Sequence, residues 1–393
     1  MITTGVTGGR WRASITPFGA ITTCSDDSDG AQLDWHIAAD DRWHSPEHEP
    51  AVRQRRIDGT AVVETRVRIP DGDAVQRVYS VADHGGLTMI EIENESPLPI
   101  AVAFTNGNLL SLRPPTAPIE GIALPPESVA FPIGHRSTLT VAIPHGREPS
   151  VGSLPPGLPT SAAVVRGWLN TIERAGHLLT PDAELNESVV ATRCEISLCG
   201  PPGAEGDAVG FILCVDQLVR MGEKVEPFVP QLANALELAV KSADHDWALA
   251  AALGAADRVL AAAGEARARR DLAAIVQRLR LPDQLPAATP TDPVRALSWN
   301  EQGIVAPRSG RAELLLAGLP ASWLGNNFEV FDLPTGATGT VSFAVRWHGE
   351  RPAVLWEQAP GAQGPVTLTA PSLAPQWSSG DLAGEALWDK YDQ

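Results

Sequence analysis

Residues 145–172, HGREPSVGSLPPGLPTSAAVVRGWLNTI, mark the place where the chain changes from one kind of secondary structure to another. Prolines and glycines crowd the first part of this stretch, which is typical of a linker. Before it, apolar and polar residues alternate, as in β-strands with one solvated face. After it, apolar residues recur at helical spacing. The stretch therefore separates a β-rich region from a helical one.

The region before this linker contains short segments rich in valine, isoleucine and threonine, at residues 61–69, 76–81, 87–93 and 100–104. Aspartate, glycine, asparagine and proline stand between these segments and favour turns. Repeated short strands with frequent turns are typical of an antiparallel β-sandwich. We predict such a domain over residues 1–148.

Six apolar stripes at helical spacing follow the linker, and the first of them extends to Leu179. Successive helices joined by short loops pack most simply as antiparallel hairpins. We therefore predict an antiparallel six-helix bundle over residues 160–281, ended by a second proline-rich linker at residues 282–293. The stripes begin at Val165, Leu185, Phe211, Val229, Leu249 and Leu272.

Strand patterns return after the second linker, so the chain as a whole is predicted to be a multidomain α and β protein. The pattern indicates a small C-terminal β domain over residues 294–377 and a weakly patterned tail over residues 378–393, which carries Trp388 and Tyr391. The predicted strands are residues 312–316, 328–331, 340–347, 353–357 and 366–369.

Composition indicates a globular protein, with 44% hydrophobic and 20% charged residues. The formal charge of −17 disfavours binding to nucleic acid or to an anionic membrane, since both need clustered basic side chains. The N-terminal residues lack the pattern of a secretory signal, and the apolar stretch at residues 247–256 is too short to cross a bilayer. We therefore expect a cytoplasmic protein.

Four cysteines, at positions 24, 194, 199 and 214, form no C-x-x-C pair. We interpret them as reduced thiols, and the last three as core residues of helices. The sequence lacks the phosphate-binding loop G-x-x-x-x-G-K-[ST] and the motifs G-x-G-x-x-G, H-E-x-x-H and G-x-S-x-G. We expect no cofactor and no metal.

Three passages carry a resemblance to a known family: residues 79–104 (YSVADHGGLTMIEIENESPLPIAVAF), 210–236 (GFILCVDQLVRMGEKVEPFVPQLANAL) and 342–357 (SFAVRWHGERPAVLWE). Together with the order β, helices, β, they resemble the six-hairpin or (α/α)6 glycoside hydrolases, such as glucoamylases and glycogen-debranching enzymes. A full toroid of that family has twice the number of helices found in this sequence. The resemblance implies a partial α/α toroid, an open groove that a homodimer would complete, and an oligo- or polysaccharide partner.

Two functions follow from this resemblance. One is a glycoside hydrolase that acts on an intracellular α-linked glycan through two carboxylates. The other is a non-catalytic glycan-binding or assembly module on a degenerate glycosidase scaffold.

Two acidic loops, residues 200–207 and 242–246, are predicted to emerge at the same end of the bundle. Glycoside hydrolysis needs a pair of carboxyl groups, one protonated and one ionised. We predict that Glu205 or Asp207 pairs with Asp244 or Asp246 for this chemistry. The alternative is structural, because aspartate before a helix is a common N-cap.

Two tryptophans in the second half of the chain are candidate sugar platforms. Trp299, beside Asn300 and Glu301, combines an aromatic face for sugar C–H groups with polar side chains for hydroxyls. Trp347 lies near a predicted hairpin turn at residues 348–351 and is a candidate ligand contact. Burial of Trp299 against the bundle and of Trp347 at a domain boundary are the structural alternatives.

The segment that contains Trp35, His36, Trp43, His44 and His48 is the densest group of tryptophan, histidine and aspartate in the chain. It shows no strand or helix pattern, so we predict a loop. A metal site needs fixed geometry from at least three such ligands. We favour a glycan-binding loop, with Trp35 and Trp43 as substrate contacts.

Overall fold

The structure is a computed structural model, and it describes residues 1–25, 28–116, 119–145, 152–242, 244–282, 284–362 and 364–390. It confirms the predicted order: a β-rich N-terminal region, helices in the middle and a β-rich C-terminal region. The chain divides into two compact units, Met1–Leu169 and Asn170–Gln393.

The described strands of the first unit form three sheets, in the orders β1-β2-β3-β4, β12-β14-β10-β9-β8-β7 and β13-β11-β5-β6. Neighbouring strands in these sheets pair antiparallel. The bounds are β1 Ile2–Gly5, β2 Trp11–Ile15, β3 Ile21–Ser25, β4 Ser28–Leu33, β5 Trp35–Ala38, β6 Trp43–His44, β7 Val52–Arg56, β8 Val63–Ile69, β9 Gly72–Val81, β10 Leu87–Asn94, β11 Ile100–Phe104, β12 Leu110–Ser111, β13 Val129–Ile133 and β14 Thr138–Pro144.

One hydrophobic core takes side chains from all three sheets, among them Ile15, Ile37, Val78, Ile90 and Phe131. Along each strand, side chains point alternately to the two faces of the sheet. Every second residue therefore points into this core. The four strands predicted between residues 61 and 104 overlap β8 to β11, which confirms them.

The prediction of an unpatterned loop around Trp35 and Trp43 is wrong. Trp35 and Ile37 point into the core from β5, and β6 pairs with β5 through Ile37 opposite His44. These strands have four and two residues, so they are too short for periodicity to reveal them.

The described helices number seven, one more than the sequence predicts. The additional helix is α7, which begins at the end of the second proline-rich linker. Its buried face holds Leu297, Ser298, Glu301 and Ile304, and the two polar members interrupt the apolar stripe. The bounds are α1 Ser161–Ile172, α2 Ala183–Cys199, α3 Ala208–Arg220, α4 Val229–Ser242, α5 Trp247–Ala262, α6 Ala266–Leu279 and α7 Pro293–Ile304.

The first predicted stripe is too long, since α1 ends at Ile172 and Leu179 lies in a strand with 46% of its surface exposed. Gly176 stands between the two elements with φ +106°, and a Cβ there would lie 2.9 Å from Leu333 Cδ2. Glycine is therefore required at this close approach, and the chain leaves the helix for the strand His177–Leu179, β15.

The second unit also contains two sheets, in the orders β15-β18-β19-β20-β23 and β16-β17-β21-β22, with β17 and β21 parallel. The five strands predicted after residue 310 overlap β17 to β21. The bounds are β16 Val305–Arg308, β17 Arg311–Leu314, β18 Phe328–Pro334, β19 Thr340–His348, β20 Arg351–Ala359, β21 Thr367–Ala370, β22 Ala374–Ser379 and β23 Ala383–Leu387.

The predicted tail contains β23 and then Trp388, which is 3% exposed. Its ring centroid lies 5.3 Å from that of Trp377, which lies 5.3 Å from that of Trp356, in edge-to-face geometry. Trp388 is thus packed, through Trp377, against the sheet that contains β20. Tyr391 lies outside the described residues.

The four cysteines, all among the described residues, form no disulfide, and Cys194 and Cys214 are buried as predicted. Cys199, at the end of α2, is exposed, so its prediction as a core residue is wrong. Among the described helices, none has the length and apolar character needed to cross a membrane.

Candidate functional site

A cleft of about 380 Å³ opens in the first unit beside β5, and we call it the β5 cleft. One wall is the turn at residues 16–20, and another is the segment 45–48 that follows β6. Phe18 and Trp35 supply aromatic surface. The polar lining residues are Thr16, Gln32, Asp34, His36, Ser45, Glu47 and His48.

Trp35 supports the cleft from below, since it is 2% exposed. Its indole Nε1 donates a hydrogen bond to the carbonyl oxygen of Phe18 at 2.9 Å. Gly19, at φ +84°, is required in this turn, because a Cβ there would clash with Gln76 and lie 2.7 Å from Trp35 Nε1. Phe18 is consequently held at the mouth of the cleft with 38% of its surface exposed.

Asp34 is fixed by the end of β11. Its backbone N–H donates to Thr105 Oγ1 at 2.9 Å, and the Thr105 N–H donates to the Asp34 carbonyl at 3.1 Å. Gln32 Nε2 donates to Asp34 Oδ1 at 2.6 Å. The amide and the carboxylate therefore form one polar group at the edge of the cleft.

His36 stands beside this group, with Nδ1 2.9 Å from Ser45 Oγ. Burial lowers the pKa of His36, Asp34 partly opposes that effect, and His48 adds to it. The ring is therefore neutral at neutral pH, and with Nδ1 bonded to Ser45 it offers Nε2 as a donor or an acceptor, according to the tautomer.

The segment 45–48 is braced by His44, which is 3% exposed. Its Nε2 lies 2.9 Å from Asp41 Oδ1 and its Nδ1 3.1 Å from Glu49 Oε1, while Arg42 binds Glu49 at 2.6 and 3.1 Å. The hydrogen bond with His44 lowers the pKa of Asp41, and that with Arg42 lowers the pKa of Glu49. His44 is thus a structural residue behind the cleft wall.

The histidine-rich segment divides into two roles, because His36 and His48 line the cleft and His44 does not. Trp43 lies outside the lining and donates its indole N–H to the Glu120 carbonyl at 3.0 Å. Within the described part of the chain, no group of three His, Cys, Asp or Glu side chains could hold a metal ion.

The acidic loops of the second unit mainly cap helices. Asp207 accepts a hydrogen bond from the Gly210 N–H at 2.9 Å and caps α3, while Asp246 accepts one from the Leu249 N–H at 3.1 Å and caps α5. Glu205 and Asp244 are exposed.

Asp207 is also bound by Arg295 at 2.6 and 2.9 Å, and this ion pair lowers the pKa of its carboxyl group. A carboxyl group with a lowered pKa is a poor general acid, because it is ionised at neutral pH.

Glu301 lies inside the helical core at 7% exposure, between Arg193 and Arg220, each at 2.7 Å. Burial alone raises the pKa of Glu301, but the charges of Arg220 and Arg193 outweigh it and lower the pKa to about 2. Arg193, itself 1% exposed, also donates to the carbonyls of Ala175 and Gly176. This carboxylate connects α7 to α2 and α3 and is far too enclosed to contact a polysaccharide.

The remaining predicted contacts are half-buried. Trp299 donates its indole N–H to the Pro286 carbonyl at 3.0 Å, and Trp347 donates to the Asn326 carbonyl at 3.0 Å. Asn300 follows Trp299 on α7 and is half-buried as well.

Phe18 and Gln32 line the cleft, but the sequence analysis does not predict either of them as a site residue. Residues 16–20, TPFGA, contain the proline and glycine of a turn, which would place Phe18 at a turn. The contact of that turn with Trp35 follows only from the fold.

Comparison with known protein families finds no model that matches the chain, and comparison with curated proteins finds no match either. The resemblance to six-hairpin glycosidases therefore rests on the sequence passages and on the order of the β-rich and helical regions.

Proposed function

We propose that the first unit binds a neutral carbohydrate in the β5 cleft. The observation that carries the proposal is the exposed ring of Phe18, held on a rigid turn beside an amide, a carboxylate and a neutral imidazole. An aromatic face stacks on the C–H groups of a sugar, and the polar groups can donate to and accept from its hydroxyls. The cleft volume of about 380 Å³ is within the roughly 300–1,000 Å³ range of ligand pockets.

The finer architecture and the partner belong to the same proposal. An antiparallel β-sandwich followed by a partial α/α toroid is the scaffold of an oligo- or polysaccharide-binding module, and α-linked glycans are the class that the family resemblance implies. Four cysteines that form no disulfide among the described residues suit the reducing cytoplasm, where the protein would bind an intracellular glycan.

Glycoside hydrolysis is the second candidate, since Asp34 and Glu47 both line the β5 cleft. Two carboxyl groups that flank a bound sugar are what this reaction requires. The other acid pair, Glu205 or Asp207 with Asp244 or Asp246, stays a prediction. In that pair Asp207 could serve only as the ionised member, because Arg295 lowers the pKa of its carboxyl group.

Titration of the purified protein with α-glucan and α-mannan oligosaccharides, by calorimetry and thermal shift, tests the proposal. Released sugar is measured in the same samples. Binding without release supports the module, binding with release that Asp34→Asn abolishes supports the hydrolase, and no binding to any neutral glycan contradicts both.

Phe18→Ala and Leu98→Ala form a matched pair in the same unit, because Phe18 is 38% and Leu98 39% exposed. We expect Phe18→Ala to weaken sugar binding about tenfold or more, equivalent to about 1.4 kcal/mol. Leu98→Ala should bind as the unchanged protein does, and equal losses in both variants would contradict a stacking role for Phe18.

A further inference from the structure

A second groove, of about 570 Å³, lies within the second unit. Its walls are the segment 284–287, Trp299 of α7, the β16–β17 hairpin with Arg308, Arg311 and Glu313, and residues 316–317. We call it the Trp299 groove.

Trp299 is held firmly in this wall. Its indole N–H is bonded to the Pro286 carbonyl, and its ring packs against the helical core while lining the groove. A half-buried ring whose polar atom is already satisfied presents an apolar face to whatever occupies the groove.

Another part of the lining carries two arginines, Arg308 and Arg311. Arg308 and Arg311 stand directly across the β16–β17 pair, where like charges repel. Glu313 lies between them, with Oε2 3.1 Å from Arg308 Nε and Oε1 3.0 Å from Arg311 Nη2. Among these described residues, two guanidinium groups therefore contact one carboxylate.

Arg311 is the accessible member of this group. Its side chain is 54% exposed, against 17% for Arg308 and 12% for Glu313. A guanidinium group oriented by a partly buried carboxylate is suited to bind a carboxylate or a phosphate through paired N–H donors.

The backbone beside the groove is strained. Leu315 is 2% exposed and has φ +51°, a left-handed conformation that is unfavourable for a leucine. It is held by hydrogen bonds of 2.8 Å from its N–H to the Ile304 carbonyl and from the Gly318 N–H to its own carbonyl. The resulting turn brings residues 316–317 into the groove wall, and retained strain of this kind is found at ligand sites.

We propose that the Trp299 groove binds a hexose that carries an anionic substituent, either a carboxylate or a phosphate. Arg311 binds the anion, and the face of Trp299 stacks on the sugar ring. The site is independent of the β5 cleft, because it lies in the other unit and selects charged rather than neutral sugars.

Calorimetric titration of the full chain with glucuronate, glucose 6-phosphate, glucose and inorganic phosphate tests this assignment. We expect at least one of the two charged sugars to bind ten times more tightly than glucose, with an affinity that falls as salt is added. Whichever charged sugar binds identifies the substituent. Charged sugars that bind no better than glucose, or no better than inorganic phosphate, would overturn the proposal.

Variants separate the anion contact from the ring contact. Arg311→Gln should weaken binding of the charged sugar about tenfold or more, while Arg270→Gln, which removes the same charge from an exposed position on α6, should not. Trp299→Phe should keep most of the affinity and Trp299→Leu should lose it. Circular dichroism and thermal unfolding verify that each variant is folded, and unchanged binding in folded Arg311→Gln overturns the assignment.

The same variants test whether neutral glycans and charged sugars bind at two separate sites. Phe18→Ala should leave charged-sugar binding unchanged, and Arg311→Gln should leave neutral glycan binding unchanged. A loss of both ligands in either variant would mean that the two sites are not distinct.

Discussion

The indole N–H of Trp35 donates to the carbonyl oxygen of Phe18 at 2.9 Å, and this bond joins a core strand to the turn at the mouth of the β5 cleft. Trp35 and Phe18 are seventeen positions apart in the sequence. A buried residue thereby sets the position of an exposed one. The exposed ring of Phe18 is accessible to a ligand, and the buried ring of Trp35 holds the turn in place.

Trp35→Phe removes this hydrogen bond and keeps most of the apolar bulk. We expect the free energy of unfolding to fall by about 1 kcal/mol, because the Phe18 carbonyl loses its donor in a part-buried hydrogen bond. Neutral sugar binding should weaken as well, since the turn is no longer held. Chemical denaturation and calorimetry measure the two effects. Weakened sugar binding with an unchanged free energy of unfolding would assign Trp35 to the ligand rather than to the turn.

Asp207→Asn distinguishes a helix cap from a catalytic acid. Asparagine is a good N-cap, so the cap on α3 is retained, but the bidentate ion pair with Arg295 is lost. We expect a loss of about 1 kcal/mol in stability, in line with a partly exposed ion pair, and no change in any sugar release. Sugar release that disappears in a folded Asp207→Asn protein would restore Asp207 as a catalytic residue.

Glu301→Gln removes the negative charge shared by Arg193 and Arg220 in the helical core. Breaking a buried ion pair leaves an uncompensated charge, so we expect a loss of about 3–5 kcal/mol in the free energy of unfolding. Asn300→Ala, at the half-buried neighbouring position, should lose less than 1 kcal/mol by comparison. Equal effects of the two substitutions would show that the charge is not what stabilises this core.

The stability that Glu301 contributes with Arg193 and Arg220 should depend on pH, because its pKa is lowered in the folded protein. The pKa of Glu301 is lowered to about 2 in the folded protein, so the carboxylate contributes stability above its unfolded value near 4.5. That contribution decreases as the pH falls from about 4.5 towards 2. Acid unfolding of Glu301→Gln should consequently be less steep in this range than that of the unchanged protein.

His145 should make the first unit less stable in mild acid. The ring is 3% exposed, its Nε2 lies 2.8 Å from Thr88 Oγ1, and burial lowers its pKa from 6.5 to about 4. The unfolded chain binds a proton more readily than the folded one between these values. Stability is therefore full above about pH 6.5 and decreases by up to roughly 3 kcal/mol as the pH falls to 4.

Denaturation of the unchanged protein and of His145→Gln between pH 7 and pH 4 measures this effect. The variant should lose less stability over that interval, because it has no proton to bind at this position. Parallel curves for the two proteins would exclude His145 as the cause.

The order of β-rich, helical and β-rich regions follows from the sequence alone, because the period of apolar residues is a local property of the chain. Strands β8 to β11 and helices α2 to α6 were predicted in this way. Asp207 and Asp246 were also recognisable as N-caps, since a cap involves residues only three positions away.

The features that depend on residues far apart in the sequence follow only from the three-dimensional fold. Helix α7 is hidden from the apolar pattern because Glu301 is buried, and that burial is tolerable only where Arg193 and Arg220, far away in sequence, supply the opposite charge. The β5 cleft likewise exists because the fold places the Phe18 turn on Trp35 and the end of β11 on Asp34. Local periodicity carries no information about contacts between residues far apart in sequence. The order of β-rich and helical regions can therefore be read from the sequence, whereas the β5 cleft and the Trp299 groove follow only from the fold.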